Sequence, residues 1–431
     1  MLLKNVLHQD RAILWRPRAE WGFVLLVWSC LLLLPFGRLV EVPVLLMAIA
    51  GLVLLIRRRQ WVIGSPSARL FTTAYLVAWV PIVLSLPDAF DFSSSVRVAL
   101  GHTRFYFSGL FIIYCIATIE NHERLLRLAA WLLAVWVVDG FVQLASGTDI
   151  LGFDASPTRI NALFGDRNPK YGIMLAVLSP LLFEYARHYR VSSVFAMTAI
   201  GTTAIVLIVG TRSSWIMLAV IAVGYFALLW LRDRRIPWRV MFVTVAASAL
   251  LLGALYTVSG RFSQRVDSAL AGITSQAEVA KNAVSHRFFI WQGAINMIAS
   301  HPLNGVGVRG FRDAFPAYAD PDDPFFNAVP PITPTHSHQL VLELLAETGL
   351  IGLLGTIIML TLLVHAALRA DVAARTRVLP YGLCLLAGYF PINTHLAIYS
   401  SYWSQVLWWL TAVYCSGFFR DSHTQYRGVA P

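Results

Sequence analysis

Cationic and imidazole side chains recur in this sequence where an apolar context gives least reason for them. Arg212 sits in Gly210-Thr-Arg-Ser-Ser-Trp215, a polar break between two apolar runs. A guanidinium presents a planar fork of donors that matches phosphate oxygens bidentately, so a fixed arginine here reads as an anion site. The bland reading is a turn cap, or a side chain that snorkels to lipid headgroups. Arg261, Arg265 and Arg287 fall in the long segment from residue 258 to 346, and Arg159 and Arg167 fall in the shorter polar segment from Thr148 to Lys170. Any one of them alone is a solvated surface charge. Together they form a set of cations against an apolar chain, and the anion that suits such a set is a lipid-linked phosphate or diphosphate.

Two histidines supply the complementary chemistry. His336 and His338 stand in Thr335-His-Ser-His-Gln-Leu340, and residues two apart share a side only in an extended chain. No third ligand with motif spacing accompanies them, so no metal is expected. What remains is a structural histidine or a general base, for which imidazole's unperturbed pKa of about 6.5 is suited. Two other patterns are set aside. Gly305-Val-Gly307-Val-Arg-Gly310 fits a dinucleotide fingerprint literally, but it follows a proline-broken helix rather than a strand of a βαβ unit. Asp320, Asp322 and Asp323 lie between prolines with no matching ligand run, as in a solvated turn.

These residues are positioned by an apolar chain. Of 431 residues, 57% are hydrophobic and 13% charged, too little polar surface to cover a soluble globule. Apolar runs predict crossings near 21–37, 39–56, 70–86, 101–119, 128–147, 171–186, 191–210, 214–231, 240–257, 347–368, 378–395 and 402–419, each long enough to traverse about 30 Å of hydrocarbon. The expected fold is an all-α polytopic membrane protein of about twelve helices. Helices one to nine take residues 1–257, a large partly helical loop takes 258–346, and helices ten to twelve with a short tail take 347–431. The first run has no small-residue cleavage site behind it and reads as a signal anchor. The four cysteines fall inside apolar runs, as packing residues do.

Charge sets the orientation. With both termini cytoplasmic, 21 of the 34 Lys and Arg residues fall on the cytoplasmic side, and six of the others lie in the long loop, an asymmetry the positive-inside rule demands. The net charge of +11 is then a topology signal rather than a nucleic-acid footprint. Within the long loop, Phe288, Phe289, Trp291, Ala294, Ile295 and Ile298 recur at near-helical spacing, which predicts an amphipathic helix against the membrane or the bundle, stopped by His301-Pro302.

The ordered stretch Arg287-Phe-Phe-Ile-Trp291, His301-Pro-Leu-Asn-Gly-Val-Gly307 to Phe311, His336-Ser-His338-Gln-Leu340 and Glu347-Thr-Gly349-Leu-Ile-Gly352 resembles the signature of the O-antigen ligase and polymerase superfamily. Thr211-Arg-Ser-Ser-Trp215 looks like that superfamily's arginine motif, and Phe164-Gly-Asp-Arg-Asn-Pro169 is similar to its external turn. The chain departs from the pattern at Gln339 and Lys170, where asparagine is common. The resemblance implies a GT-C-like fold in the bacterial inner membrane, with the site on the periplasmic face. It implies a glycosyltransferase that takes a glycan from undecaprenyl diphosphate without nucleotide sugar, metal or cofactor. His338, preceding Gln339, takes the place of the base. Arg212, Arg265, Arg287 and Arg159 take the donor diphosphate, with His336, Arg261 and Arg167 as accessory residues.

The resemblance leaves three transferases open. A ligase to lipid A-core in lipopolysaccharide biosynthesis fits one dominant external loop. A repeat-unit polymerase is suggested by Arg261 followed ten residues later by Gly272. A protein O-glycosyltransferase usually has a longer C-terminal extension. Outside the class stands a flippase or permease, whose sign is an ionisable group at the bilayer midplane; Asp139 is its candidate.

Overall fold

The computed structural model describes residues 17–155, 160–165, 170–188, 192–233, isolated positions between 246 and 267, 278–392 and 396–418. They form fourteen helices: α1 (Pro17–Leu32), α2 (Glu41–Arg57), α3 (Arg59–Gly64), α4 (Pro66–Leu84), α5 (Phe92–Ile116), α6 (Ile119–Ser146), α7 (Lys170–His188), α8 (Ser192–Val209), α9 (Arg212–Asp233), α10 (Glu278–Ser300), α11 (Phe311–Tyr318), α12 (Leu340–Arg369), α13 (Val372–Gly388) and α14 (Ser401–Ser416). No β-strand occurs among the described residues, only one isolated bridge between Thr148 and Asp154.

Local sequence explains where these helices begin. Asp91 accepts from the Ser94 amide at 2.9 Å, Thr118 from Asn121 at 3.2 Å and Asp371 from Ala374 at 2.7 Å. Each side chain satisfies an N–H that the first turn leaves without an intrahelical partner. Gly147, at φ +88°, closes α6 in the left-handed conformation that favours glycine.

Among the described residues, four helical segments are long and apolar enough to cross a membrane: Leu34–Arg57, Pro66–Leu84, Ile119–Ser146 and Leu340–Arg369. Shorter apolar helices cover Trp21–Leu32, Val194–Val209 and Arg212–Leu228. The chain is an all-α membrane protein. A helix overlies each expected crossing except 240–257, which lies largely outside the described residues. The expected crossing at 347–368 differs in its start. Its helix begins at Leu340, because Gln339 caps it, and kinks at Gly349, whose φ is +65°.

Helices approach closely where side chains are small, as bilayer packing favours. At Gly51 of α2 an added Cβ would lie 1.8 Å from the Phe107 carbonyl oxygen of α5. The contacts between connections sort into two ends of the bundle. At one, Arg104 pairs with Glu41 at 3.1 Å and donates to Ser401, and the Lys170 ammonium sits 3.9 Å from the centre of the Tyr402 ring. At the other, the Arg377 guanidinium donates to the Gly417 carbonyl at 2.7 Å, His122 contacts Ser416 at 2.9 Å, and Arg124 lies over Trp21. The first end also gathers the turn 84–95, the connection 301–310 and residues 396–400, and it is where His336 and His338 lie.

Candidate active site

The arginine motif is shaped by its neighbours. Gly210, at φ +70°, turns the chain between α8 and α9. Thr211 and Ser214, both buried, hydrogen-bond to each other through their hydroxyls and pack over Gly172. With those hydroxyls facing inward, Arg212 at the start of α9 is left exposed.

Arg287 lies across from it on α10. Its guanidinium is held below its ordinary affinity for protons, first by partial burial and second by the like charge of Arg212. A guanidinium that feels the like charge of a second one offers, with it, a place for an anion. Among the expected cations, the structure brings these two together. Arg159, Arg167, Arg261 and Arg265 lie outside the described residues.

One turn further along α10 stands Trp291, on the same helix face as Arg287. Its indole N–H donates to the Ser337 carbonyl at 3.0 Å, between the two histidines. The rings of His336 and His338 lie with centroids 3.8 Å apart and planes inclined by 51°, brought together by a backbone that bends here rather than running extended. The two differ in setting. His336 is buried, with Nδ1 3.0 Å from the Thr335 hydroxyl, whereas His338 is partly exposed. His338 also has φ +55°, a left-handed conformation that a non-glycine residue holds only where its surroundings impose it.

Those surroundings are visible. Ser337 closes a local bond to the Gln339 carbonyl at 3.0 Å. Gln339 uses its side-chain oxygen to cap the Leu342 amide at 2.5 Å and its side-chain nitrogen to reach the Pro391 carbonyl at 3.0 Å. The departure from asparagine at 339 therefore has a structural use: the longer amide caps α12 and still spans to the turn before α14. Glu343, one turn on, accepts from the Ile398 amide at 2.8 Å, and Thr348 meets the Tyr399 hydroxyl at 2.8 Å.

The glycine pattern set aside as a nucleotide fingerprint forms a strap across the kink of α12. Val306 donates to the Ala346 carbonyl at 2.8 Å, Leu350 to Pro302 at 2.9 Å and Ile351 to Leu303 at 3.1 Å. On its other side the strap meets the turn before α5, with Phe90 donating to Val306 at 2.9 Å and Ser95 to Val308 at 3.0 Å. A Cβ on Gly305 would lie 2.4 Å from the Glu347 carbonyl carbon, so glycine is needed for close approach rather than for a phosphate. The acidic turn is likewise used locally. Asp320 accepts from Asp322 at 2.9 Å and Asp323 from Phe325 at 2.9 Å.

Residues 196–357 match the family model described as O-antigen ligase. That match, over about two fifths of the chain, supports an O-antigen ligase assignment for this segment. The matched segment contains Arg212, Arg287, His336 and His338 together with the strap, and it spans Arg261 and Arg265; Arg159 and Arg167 precede it. No curated protein sequence matches the chain.

Several supporting residues carry no sequence signal strong enough to announce them. Trp291 is visible only as one apolar position in a periodic helix. Glu343 and Glu347 do leave a trace: two carboxylates four residues apart within an apolar run share one helix face, and both are buried. Asp139 and Gln143 leave the same kind of trace on α6. Asp139 accepts from the Ile150 amide at 2.7 Å and the Leu163 amide at 2.8 Å, and Gln143 accepts from Asn161 at 2.9 Å and Ala162 at 2.8 Å.

Proposed function

We propose that the protein is an inverting, metal-independent O-antigen ligase, transferring O-antigen polysaccharide from undecaprenyl diphosphate to a sugar hydroxyl of lipid A-core. The observation that carries this reading is the geometry of α10. One helix holds Arg287 beside Arg212 and, one turn on, fixes the peptide between His336 and His338 through Trp291. An anion site and a base site thus share one support at one end of a membrane bundle, where a lipid-tethered diphosphate arrives.

The chemistry follows from those groups. The acceptor hydroxyl gives its proton to a ring nitrogen of His338 while its oxygen bonds to C1 of the donor sugar. The bond from C1 to the diphosphate oxygen breaks, and the electron pair leaves on the diphosphate. Arg212 and Arg287 offset the charge that develops there, the largest demand in a transfer with so good a leaving group. Attack opposite the leaving group inverts the anomeric carbon. Arg159 and Arg265 complete the donor site in this reading, with Arg167, Arg261 and His336 accessory.

The reading includes placement in the bacterial inner membrane with both termini cytoplasmic and the site periplasmic, supported by the cation asymmetry. A reporter fused near Asp320 should report the external side, and a cytoplasmic result would end it. A polymerase would use the same bond changes with a growing glycan as acceptor. Transport is disfavoured because Asp139, the best midplane candidate, is occupied in holding two loop amides. The deciding experiment is single-turnover transfer by purified protein in nanodiscs, with lipid A-core and free repeat units offered separately. Product on lipid A-core is expected. Elongated lipid-linked glycan alone would assign a polymerase, and donor movement without transfer a permease.

A further inference from the structure

The buried carboxylate of Glu347 has no part in the bond changes just described, yet it sits at the joint on which both halves of the site depend. Glu347 is fully buried two residues before α12 kinks at Gly349. Its Oε2 accepts from the backbone amide of Arg309 at 2.7 Å, and the backbone of Phe311, the first residue of α11, is directed at the same carboxylate. Arg309 has φ +59°, so this amide is presented from a conformation that the rest of the chain must enforce. The charges of Arg309 and Arg312 bear on the carboxylate as well.

The strap connects directly to α10 through His301 and Pro302. Anything that fixes the strap to α12 therefore fixes α10, with Arg287 and Trp291, relative to the helix that His338 leads into. Backbone bonds make part of that joint, and Gly305 and Gly349 let it close, since a Cβ at Gly349 would lie 2.2 Å from Leu303. Glu347 adds a side-chain bond across it, accepting from the Arg309 amide. Stability alone is a poor reason to keep a carboxylate there. Its Oε1 and the Arg309 Nη1 are buried without a hydrogen-bond partner among the described residues, and a buried charge so incompletely bonded is often no better than an apolar residue of its size. What such a group does provide is a specified position.

We propose that Glu347 is a positioning residue for transfer: through the Arg309 amide it locks the strap, and with it α10, in the register that sets Arg287 beside Arg212 and against His338. The proposal rests on the ligase reading of the site. Misalignment by about 1 Å lowers rates by as much as about 100-fold while substrate still binds. A positioning role therefore separates chemistry from binding.

The test compares Glu347→Ala, Glu347→Asp and Glu347→Gln in the full-length protein in nanodiscs. Three readouts are taken: hydrogen exchange of residues 302–311, affinity for lipid-linked donor, and single-turnover transfer. In Glu347→Ala the strap amides should exchange faster and transfer should slow by at least about 10-fold, with donor affinity within about 3-fold of wild type. Gln keeps an acceptor oxygen and should restore both protection and rate. Asp retracts the carboxylate by one methylene and should behave as Ala does while folding normally, which keeps the test open if the Ala variant is not recovered. Unchanged strap exchange with unchanged transfer in Glu347→Asp would overturn the proposal, as would a Gln variant as slow as Ala. If the wild type itself transfers nothing, the ligase reading fails, whereas the exchange measurements still report whether Glu347 locks the strap.

Discussion

The imidazoles of His336 and His338 stand 3.8 Å apart, centre to centre, yet only His338 is partly open to solvent. Two rings so close cannot both be protonated without mutual repulsion. The buried partner has its Nδ1 beside the Thr335 hydroxyl. His338 then has the exposure a base needs to reach an acceptor hydroxyl.

His338→Ala should therefore lose transfer by about 100-fold to 10,000-fold, the range a general base supplies, while still binding donor. His336→Ala should retain most activity. Transfer should fall as pH is lowered below neutrality, because protonation removes the lone pair that accepts the proton. Single-turnover rates with donor binding measured in parallel decide the assignment. Equal activity of His338→Ala and wild type would sink it, and loss of donor binding instead of chemistry would recast the ring as a phosphate ligand.

The like charge of Arg212 disfavours the charge on Arg287, and a diphosphate between them would relieve that repulsion. Replacing either with Ala should weaken donor binding and transfer together. Lys should rescue poorly at both positions, since an ammonium cannot reproduce the two-pronged contact. Donor affinity measured by titration into nanodiscs checks both; wild-type affinity in Arg212→Ala would remove that residue from the donor site.

The parts of this site that the sequence reveals are those whose chemistry is out of place in an apolar chain. Arg212 and the histidine pair stand out because hydrocarbon disfavours them, and α10 stands out because Phe288, Trp291 and Ile295 keep helical spacing. The parts it conceals depend on what another segment brings. Gly305 and Gly307 match a phosphate-binding pattern as a string, and their use in close approach emerges only when α12 and the turn before α5 close on them. Gln339 is legible as a departure from a familiar motif, but its double role needs Pro391, 52 residues away, to be adjacent. The start of α12 is hidden for the same reason: its cap is a local bond, but the turns that carry Glu343 and Glu347 meet their partners only in Ile398 and the strap.

Trp291 supplies a narrower test of the shared support. Phe at this position keeps the ring and loses only the N–H that meets Ser337 at 3.0 Å. A hydrogen bond of this kind contributes about 1 kcal/mol. Trp291→Phe should therefore leave the fold intact and slow transfer by roughly 5-fold to 10-fold through a looser histidine peptide. Hydrogen exchange at residues 335–339 should rise in step. An unchanged rate with raised exchange would mean that the peptide is held closely enough without the indole.

Asp139 separates transfer from transport. A translocating carboxylate must be able to change partners as substrate moves, whereas Asp139 is fully buried and spends each oxygen on one loop amide, Ile150 at 2.7 Å and Leu163 at 2.8 Å. Asn at this position offers one acceptor and one amide group, so one of the two loop N–H groups would face a donor. A buried group left unsatisfied in that way costs about 1 to 3 kcal/mol. Asp139→Asn should accordingly lower the thermal midpoint and raise exchange across residues 149–163, and the fraction that remains folded should transfer glycan at close to the wild-type rate. The measurement is thermal unfolding beside transfer normalised to folded protein. Normal stability with abolished donor movement would identify a carboxylate that works rather than one that ties a loop, and would return the permease reading to the front.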